Sequence, residues 1–133
     1  MNKERLKMIG EYIKANVGPI LISNVSFKDV ENTIILKSSI DKSELTGHYE
    51  GVNYEPPEWY QELVEMCKTQ YSLLVIENIN QIPLEEQPKF IEILKYRKIN
   101  TFELPENCCV VVTCINLNNN KINEEVYSLL AHI

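Results

Sequence analysis

Histidine, paired cysteine, positive charge and long apolar runs are all scarce in this sequence. His48 and His132 are the only histidines, and neither stands with a serine elbow or a cysteine partner, so nucleophilic catalysis has no support. The four cysteines, Cys67, Cys108, Cys109 and Cys114, form no C-x-x-C pair and have no histidine at ligand spacing. That excludes the usual thiolate and imidazole metal centres, and no metal is expected. The cysteines lie mainly in apolar surroundings, where reduced thiols behave as small hydrophobes, as suits a reducing compartment. No apolar run reaches the roughly 18 residues of a membrane span. The opening MNKERLKMIGEYIKAN is amphipathic and mixed in charge, unlike a signal peptide, so the expected location is cytoplasmic, with no membrane partner. Thirteen basic against 19 acidic residues leave a net charge of -6, which repels a phosphate backbone and argues against nucleic acid as a partner.

What is present is ordinary globular material. The 133 residues, 44% apolar and 24% charged, suit one compact domain over 1–133 with a core of its own. Leu6, Ile9, Ile13 and Val17 recur at helical spacing, which predicts an amphipathic helix over Lys3–Asn16 ended near Gly18-Pro19. Strands are expected at Ile20–Ser23 and Thr33–Lys37, with the polar, turn-prone Asn24–Asn32 between them. SSIDKSELTGHYEGVNYE reads as a loop-rich connector in which Asp41 and Glu44 have the spacing of a capping box for a short helix. Pro56-Pro57 opens a helix carrying Trp59, Leu63 and Met66 to about Lys68.

Tyr71–Ile76 and Cys108–Ile115 are continuous apolar runs, the kind buried on both faces of a parallel sheet. Pro83 is expected to start a helix ending near Tyr96, with Phe90, Ile91, Ile93 and Leu94 toward the core. A small hairpin is expected over Lys98–Leu104, a plain loop at Leu117–Asn120 and a last helix over Asn123–His132. Strands alternating with helices imply an α/β domain with a mostly parallel sheet flanked by helices. Chemistry in such sheets sits off the carboxyl ends of the central strands, which directs attention to Glu77, Asn78 and Asn116.

The stretch LLVIENINQIPLEEQPKFIEILKYRKINTFELPENCCVVVTCINLN resembles the central part of an AAA+ ATPase of the MoxR type. The shared features are an apolar strand ending in an acidic position, "IN" and a proline, a helix with a Gln, then "LP-N" and a strand closing on Asn. PPEWYQEL is similar to the same group, while SELTGH is similar to a segment of the enhancer-binding activators, whose GAFTGA loop is absent. The resemblance runs with gaps from about Pro19 onward and implies a P-loop NTPase-like core. It also implies ATP and magnesium as ligands. In the family an Asp at the strand end holds magnesium through water and the following Glu polarises the attacking water. Here Glu77 stands in the Asp place and Asn78 in the Glu place, and an amide cannot act as a base near neutral pH. Asn116 matches the family's sensor Asn, or simply starts the turn after a strand.

A phosphate cradle needs a Gly-rich loop, a Lys and a helix N-terminus. After Ile20-Leu21-Ile22 comes SNVSFKDVENT, without a glycine, and Lys28 is followed by Asp29 where Ser or Thr is wanted. Asn24 to Asn32 is nine residues, whereas a parallel crossover with its helix needs at least roughly 10 to 12. The loop and its helix are therefore expected to be missing and Glu77 to mark a lost site. EEVYSLLAHI resembles the family's helix ending in Ser-Arg-Phe, with His132 in the place of the arginine finger; the family's fifth strand and helical lid are then expected to be missing. Glu77, Asn78, Asn116 and His132 are thus expected to be vestigial.

Two lesser candidates remain. Glu50, Glu55 and Glu58 suggest a paired-carboxylate hydrolase or, more plainly, a solvated acidic loop. Tyr49, Tyr54, Trp59 and Tyr60 suggest a binding surface or packing beneath a long loop. The function expected is that of an inactive AAA+-like module binding protein as a scaffold or regulator, with no cofactor. The alternative is an ATP-binding or ATP-hydrolysing protein with an atypical site. Loss of the crossover helix would uncover the strands Ile20–Ser23 and Cys108–Ile115, to be covered by the Lys3–Asn16 helix, a partner or a second copy.

Overall fold

Apolar runs that leave no polar face can be satisfied only by burial on both sides, and this sequence folds around them. The computed structural model describes residue 10, residues 18–116 and residues 121–132. The helix expected over Lys3–Asn16 and the loop expected at Leu117–Asn120 lie outside the described residues, residue 10 apart. The strands are β1 (Ile20–Ser23), β2 (Thr33–Lys37), β3 (His48–Glu50), β4 (Asn53–Glu55), β5 (Ser72–Glu77), β6 (Lys98–Ile99), β7 (Phe102–Glu103), β8 (Cys108–Cys114) and β9 (Ala131–His132). The described α-helices of more than one residue are α1 (Lys42–Thr46), α2 (Glu58–Cys67), α3 (Ile91–Tyr96) and α4 (Glu124–Ser128).

Five strands form one sheet in the order β2-β5-β8-β1-β9, with every neighbouring pair parallel. All seven residues of β8, at its centre, are buried. The pleat divides them: Cys108, Val110, Val112 and Cys114 join the larger core with Leu21, Leu74 and Ile76, while Cys109 and Val111 join a second core with Ile20, Ile22, Leu73 and Val75. Buried residues of all four α-helices, Leu45, Leu63, Ile93 and Val126 among them, belong to the first core. The domain is therefore α/β with a parallel sheet, and its described helices share one face.

The opposite face is covered differently. The connector between β1 and β2 holds bends and turns but no helix, and it places Phe27, 1% exposed, in the second core with Val25 and Val30 against it. Geometry explains why this connector holds no helix. The link crosses three strand spacings, about 14 Å, while returning the length of a strand, a diagonal of about 20 Å. Nine helical residues would reach only about 14 Å, but extended ones reach about 30 Å. The apolar side chains of β1 and β8 that the missing helix was expected to uncover are buried.

Several expectations are corrected. Pro83 does not start a helix: a turn closed by Glu86 N–H to Pro83 O (3.0 Å) leads into a 3-10 turn at Gln87–Phe90, and α3 starts only at Ile91. Pro88, which lacks an N–H and would clash with the carbonyl four residues back, prevents a continuous α-helix. The last helix stops at Ser128, and Ala131–His132 instead forms β9 beside β1. A fifth strand is thus present, because the open edge of β1 pairs with the returning chain, Ala131 N–H donating to Pro19 O at 2.9 Å. Asp41 occupies the N-cap of α1, but its side chain makes no capping hydrogen bond.

HYEGVNYE, expected to be loop, is the β3–β4 hairpin, in which Tyr49 faces Tyr54 across the strands. Gly47 precedes it at φ 85°, where a Cβ would collide with Glu55 O.

Replacing Phe27 by Ala should lower stability by about 3–5 kcal/mol, the usual cost of emptying a buried phenylalanine site. Urea denaturation followed by Trp59 fluorescence measures it, and a change below about 1 kcal/mol would show that the connector does not hold this face.

Candidate functional site

In each of the three central strands an apolar run is closed by asparagine: Asn24 follows β1, Asn78 follows β5, and Asn116 comes two residues after β8. All three have positive φ, 56°, 53° and 44° respectively. Asparagine tolerates this left-handed conformation better than most side chains, so it can turn the chain sharply off the sheet without glycine. Because β5, β8 and β1 are neighbours, the three asparagines come together at the carboxyl edge, where open parallel sheets bind their ligands.

Their polar groups are turned toward one another. Asn24 N–H donates to Cys114 O at 2.8 Å, and Asn24 Oδ1 accepts from Asn116 N–H at 3.1 Å. Asn78 N–H donates to the hydroxyl of Thr113 at 2.8 Å, and that hydroxyl lies 3.5 Å from Asn78 Oδ1. Asn80 clamps the same edge: its Nδ2 donates to Ile115 O at 2.6 Å and its Oδ1 accepts from Ile115 N–H at 3.0 Å. A primary amide here imitates a strand neighbour, extending the β5–β8 ladder past its end.

Glu77 is half-buried beside this cluster, in register with Lys37 of β2, and its carbonyl accepts from Ser38 N–H at 3.1 Å. His132 lies in β9 with its ring 6.3 Å from that of Tyr127, so the helix-end position expected for it is not where it stands. The structure thus gathers Glu77, Asn78 and Asn116 at one edge and leaves His132 on the outer strand.

A nucleotide phosphate at the end of β1 would need several backbone N–H groups aimed outward. In the connector Asn24 N–H is taken by Cys114 O and Val30 N–H by Phe27 O, and Lys28 N–H by Ser26 Oγ at 3.3 Å. Lys28 itself is exposed. These residues do not fit the phosphate cradle of ATP with magnesium. Among the described residues no group of three or more His, Cys, Asp or Glu side chains is placed to hold a metal ion.

The aromatic cluster divides. Trp59 is buried and donates Nε1–H to Leu45 O at 3.0 Å, Tyr60 donates its hydroxyl to Glu103 O at 2.6 Å, and Tyr54 stacks on Phe102. Tyr49 stays 72% exposed and Val52, at the hairpin tip, 95%. Gln87 is fully buried, with Nε2 donating to Ile82 O and Lys121 O and Oε1 accepting from Asn123 N–H. It ties the 3-10 turn to the start of α4, where Asn123 caps Glu125 and Val126.

All four cysteines are free and buried. Burial pushes the Cys108 thiol up to about 12, with the neighbouring Cys67 adding to the shift and Arg97 opposing it. Such thiols are poor nucleophiles at neutral pH.

Asn24, Asn80 and Thr113 also belong to this edge. The repeat of an apolar run followed by asparagine, in ILISN, LVIEN and VTCIN, carries the signal for Asn24. Nothing local marks Asn80 or Thr113, whose partners come from strands far away in sequence.

Asn80→Ala should cost about 1–3 kcal/mol, because Ile115 N–H and C=O lose their partners together; Asn80→Asp should fail to repair it, since a carboxylate cannot donate to Ile115 O. Equilibrium denaturation of both variants checks this, and an unaffected Asn80→Ala would show that the amide does not hold this edge. The cysteines should resist a thiol reagent at pH 8 until the chain unfolds. A neutral thiol favoured by folding contributes stability that is complete below the unfolded thiol pKa and lost as pH rises toward about 12. Stability should therefore fall above pH ~9, and Cys108→Ala should make that fall shallower.

No family model matches this chain, and no curated protein matches it.

Proposed function

We propose that this domain is a catalytically inactive AAA+-like module that works by binding protein, as a scaffold or regulator. The observation that carries the reading is the inward-turned carboxyl edge. The N–H groups of Asn24, Asn78 and Asn116 all end on acceptors of the chain itself, where a nucleotide-binding domain of this kind keeps donors facing its ligand. The strand ends follow the same sense: Glu77 is one methylene longer than the family's Asp, and Asn78 carries an amide in place of the water-polarising carboxylate.

The likeness to a P-loop NTPase core is supported by the sheet. Counting only the strands of the large sheet, in chain order, the spatial order is 2-3-4-1-5. The strand that would lead into a phosphate loop and the strand bearing the acid then flank the one leading to Asn116. This is the juxtaposition that the resemblance requires of its site. A fifth strand beside the first, β9, belongs to the same arrangement.

Protein binding is favoured by what the surface offers instead. A groove of about 1520 Å³ runs along β2, α1 and the start of α2, and none of the clustered asparagines lines it. The hairpin holds Tyr49 and Val52 in solvent nearby.

Calorimetric titration with Mg-ATP should give no saturating isotherm below about 1 mM, a binding free energy of roughly 4 kcal/mol, and no phosphate release. Glu77→Asp combined with Asn78→Glu should restore neither, because the acid pair without a cradle has no phosphate to act on. Turnover by that double variant, or saturable binding by the native chain, would overturn the reading.

A further inference from the structure

β2 is the outer strand of the sheet on one side, hydrogen-bonded to β5 and to no other strand of it. Its backbone direction follows from two contacts. Asn32 O accepts from Leu73 N–H at 2.9 Å, and Ser38 N–H donates to Glu77 O at 3.1 Å. Alternation then turns the N–H and C=O groups of Asn32, Ile34, Leu36 and Ser38 toward β5, and those of Thr33, Ile35 and Lys37 outward. Lys37 O is taken by Ile40 N–H. Among the described residues, the outward groups of Thr33 and Ile35 and the N–H of Lys37 have no protein partner.

The groove lies against this edge. All five consecutive residues of β2 line it. Successive side chains of a strand point to opposite faces, so a space touched by every one of them runs along the backbone itself. Among the described residues its rim is acidic, with Asp41, Glu44, Glu50, Glu55, Glu58 and Glu62 against Lys37 and His48. Six carboxylates around a strand edge repel a second copy of this acidic chain and attract positive charge.

We infer that the edge of β2 takes up an extended basic segment of a partner protein as an added parallel or antiparallel strand, through the backbone groups of Thr33, Ile35 and Lys37, with its lysine or arginine side chains among the rim carboxylates. Strand addition of this kind takes affinity from main-chain hydrogen bonds and selectivity from alternate side chains. The inference rests on the reading of the domain as a protein-binding module and names its partner's chemistry.

The probe is a capped seven-residue peptide alternating lysine and valine, titrated into the ¹⁵N-labelled full chain. The amides of Thr33, Ile35 and Lys37 should shift together and saturate, and binding should weaken at least tenfold when salt is raised from 50 to about 500 mM. Glu55→Lys with Glu62→Lys, both at exposed positions, should weaken it at least tenfold without altering the remaining spectrum. A peptide of glutamate and valine, and a lysine-valine peptide N-methylated on the residues facing β2, should not bind. Absence of binding at 1 mM lysine-valine peptide overturns the proposal, as does equal binding of the N-methylated peptide, shifts that bypass β2, or a stable dimer joined through β2. If the peptides fail while the Mg-ATP titration stays flat, the groove is wrong and the inactive-module reading stands. A saturating Mg-ATP isotherm removes that reading whatever the peptides do.

Discussion

Burial of β8 on both faces is the constraint on which the rest of the domain depends. Seven residues with no polar alternation among Cys108–Val112 and Cys114 cannot lie at an edge or on a half-solvated sheet. They require parallel neighbours on both sides, which β5 and β1 provide, and an apolar layer above and below. The helical layer comes from Leu45, Leu63, Ile93 and Val126 and the opposite layer from Phe27 and its neighbours. Thr113, the polar member of the strand, is 1% exposed and is accommodated because its hydroxyl accepts from Asn78 N–H. The core and the carboxyl edge are in this way one construction.

That edge shows how a sheet terminus can be closed by side chains of the same chain. Backbone groups beyond the last ladder pair must find partners, and in nucleotide-binding sheets the phosphate supplies some of them. Here side-chain amides do so. Asn24 and Asn80 each use an amide oxygen to satisfy a backbone N–H of the segment after β8, and Asn80 also satisfies a carbonyl there. Among the described residues, the outward groups of β2 have no such amides against them.

The opposite ends of the sheet show two treatments of an exposed strand. β1 is protected by two residues of returning chain, β9. Among the described residues β2 has no strand on its outer side, and carboxylates surround it, with Lys37 at its end. Charge at a strand edge opposes pairing between like copies.

Much of this was legible in the residues themselves. Continuous apolar runs marked β5 and β8, the β-branched TIILK marked β2, and Glu77, Asn78 and Asn116 could be placed at one edge because parallel sheets put their strand ends together. The shortness of Asn24–Asn32 also forbade a helix there, since reach is a property of chain length alone. What only the tertiary structure decided are the matters of pairing between distant segments. His132 belongs to a strand because β1 had an open edge, Phe27 is core because no helix covers β1 and β8 from the connector, and Asn80 finds Ile115 across 35 positions of sequence. Periodicity reports which face of an element is buried, a local property; which backbone group stands opposite is fixed only when the strands have been ordered, and the outward edge of β2 exists only in that order.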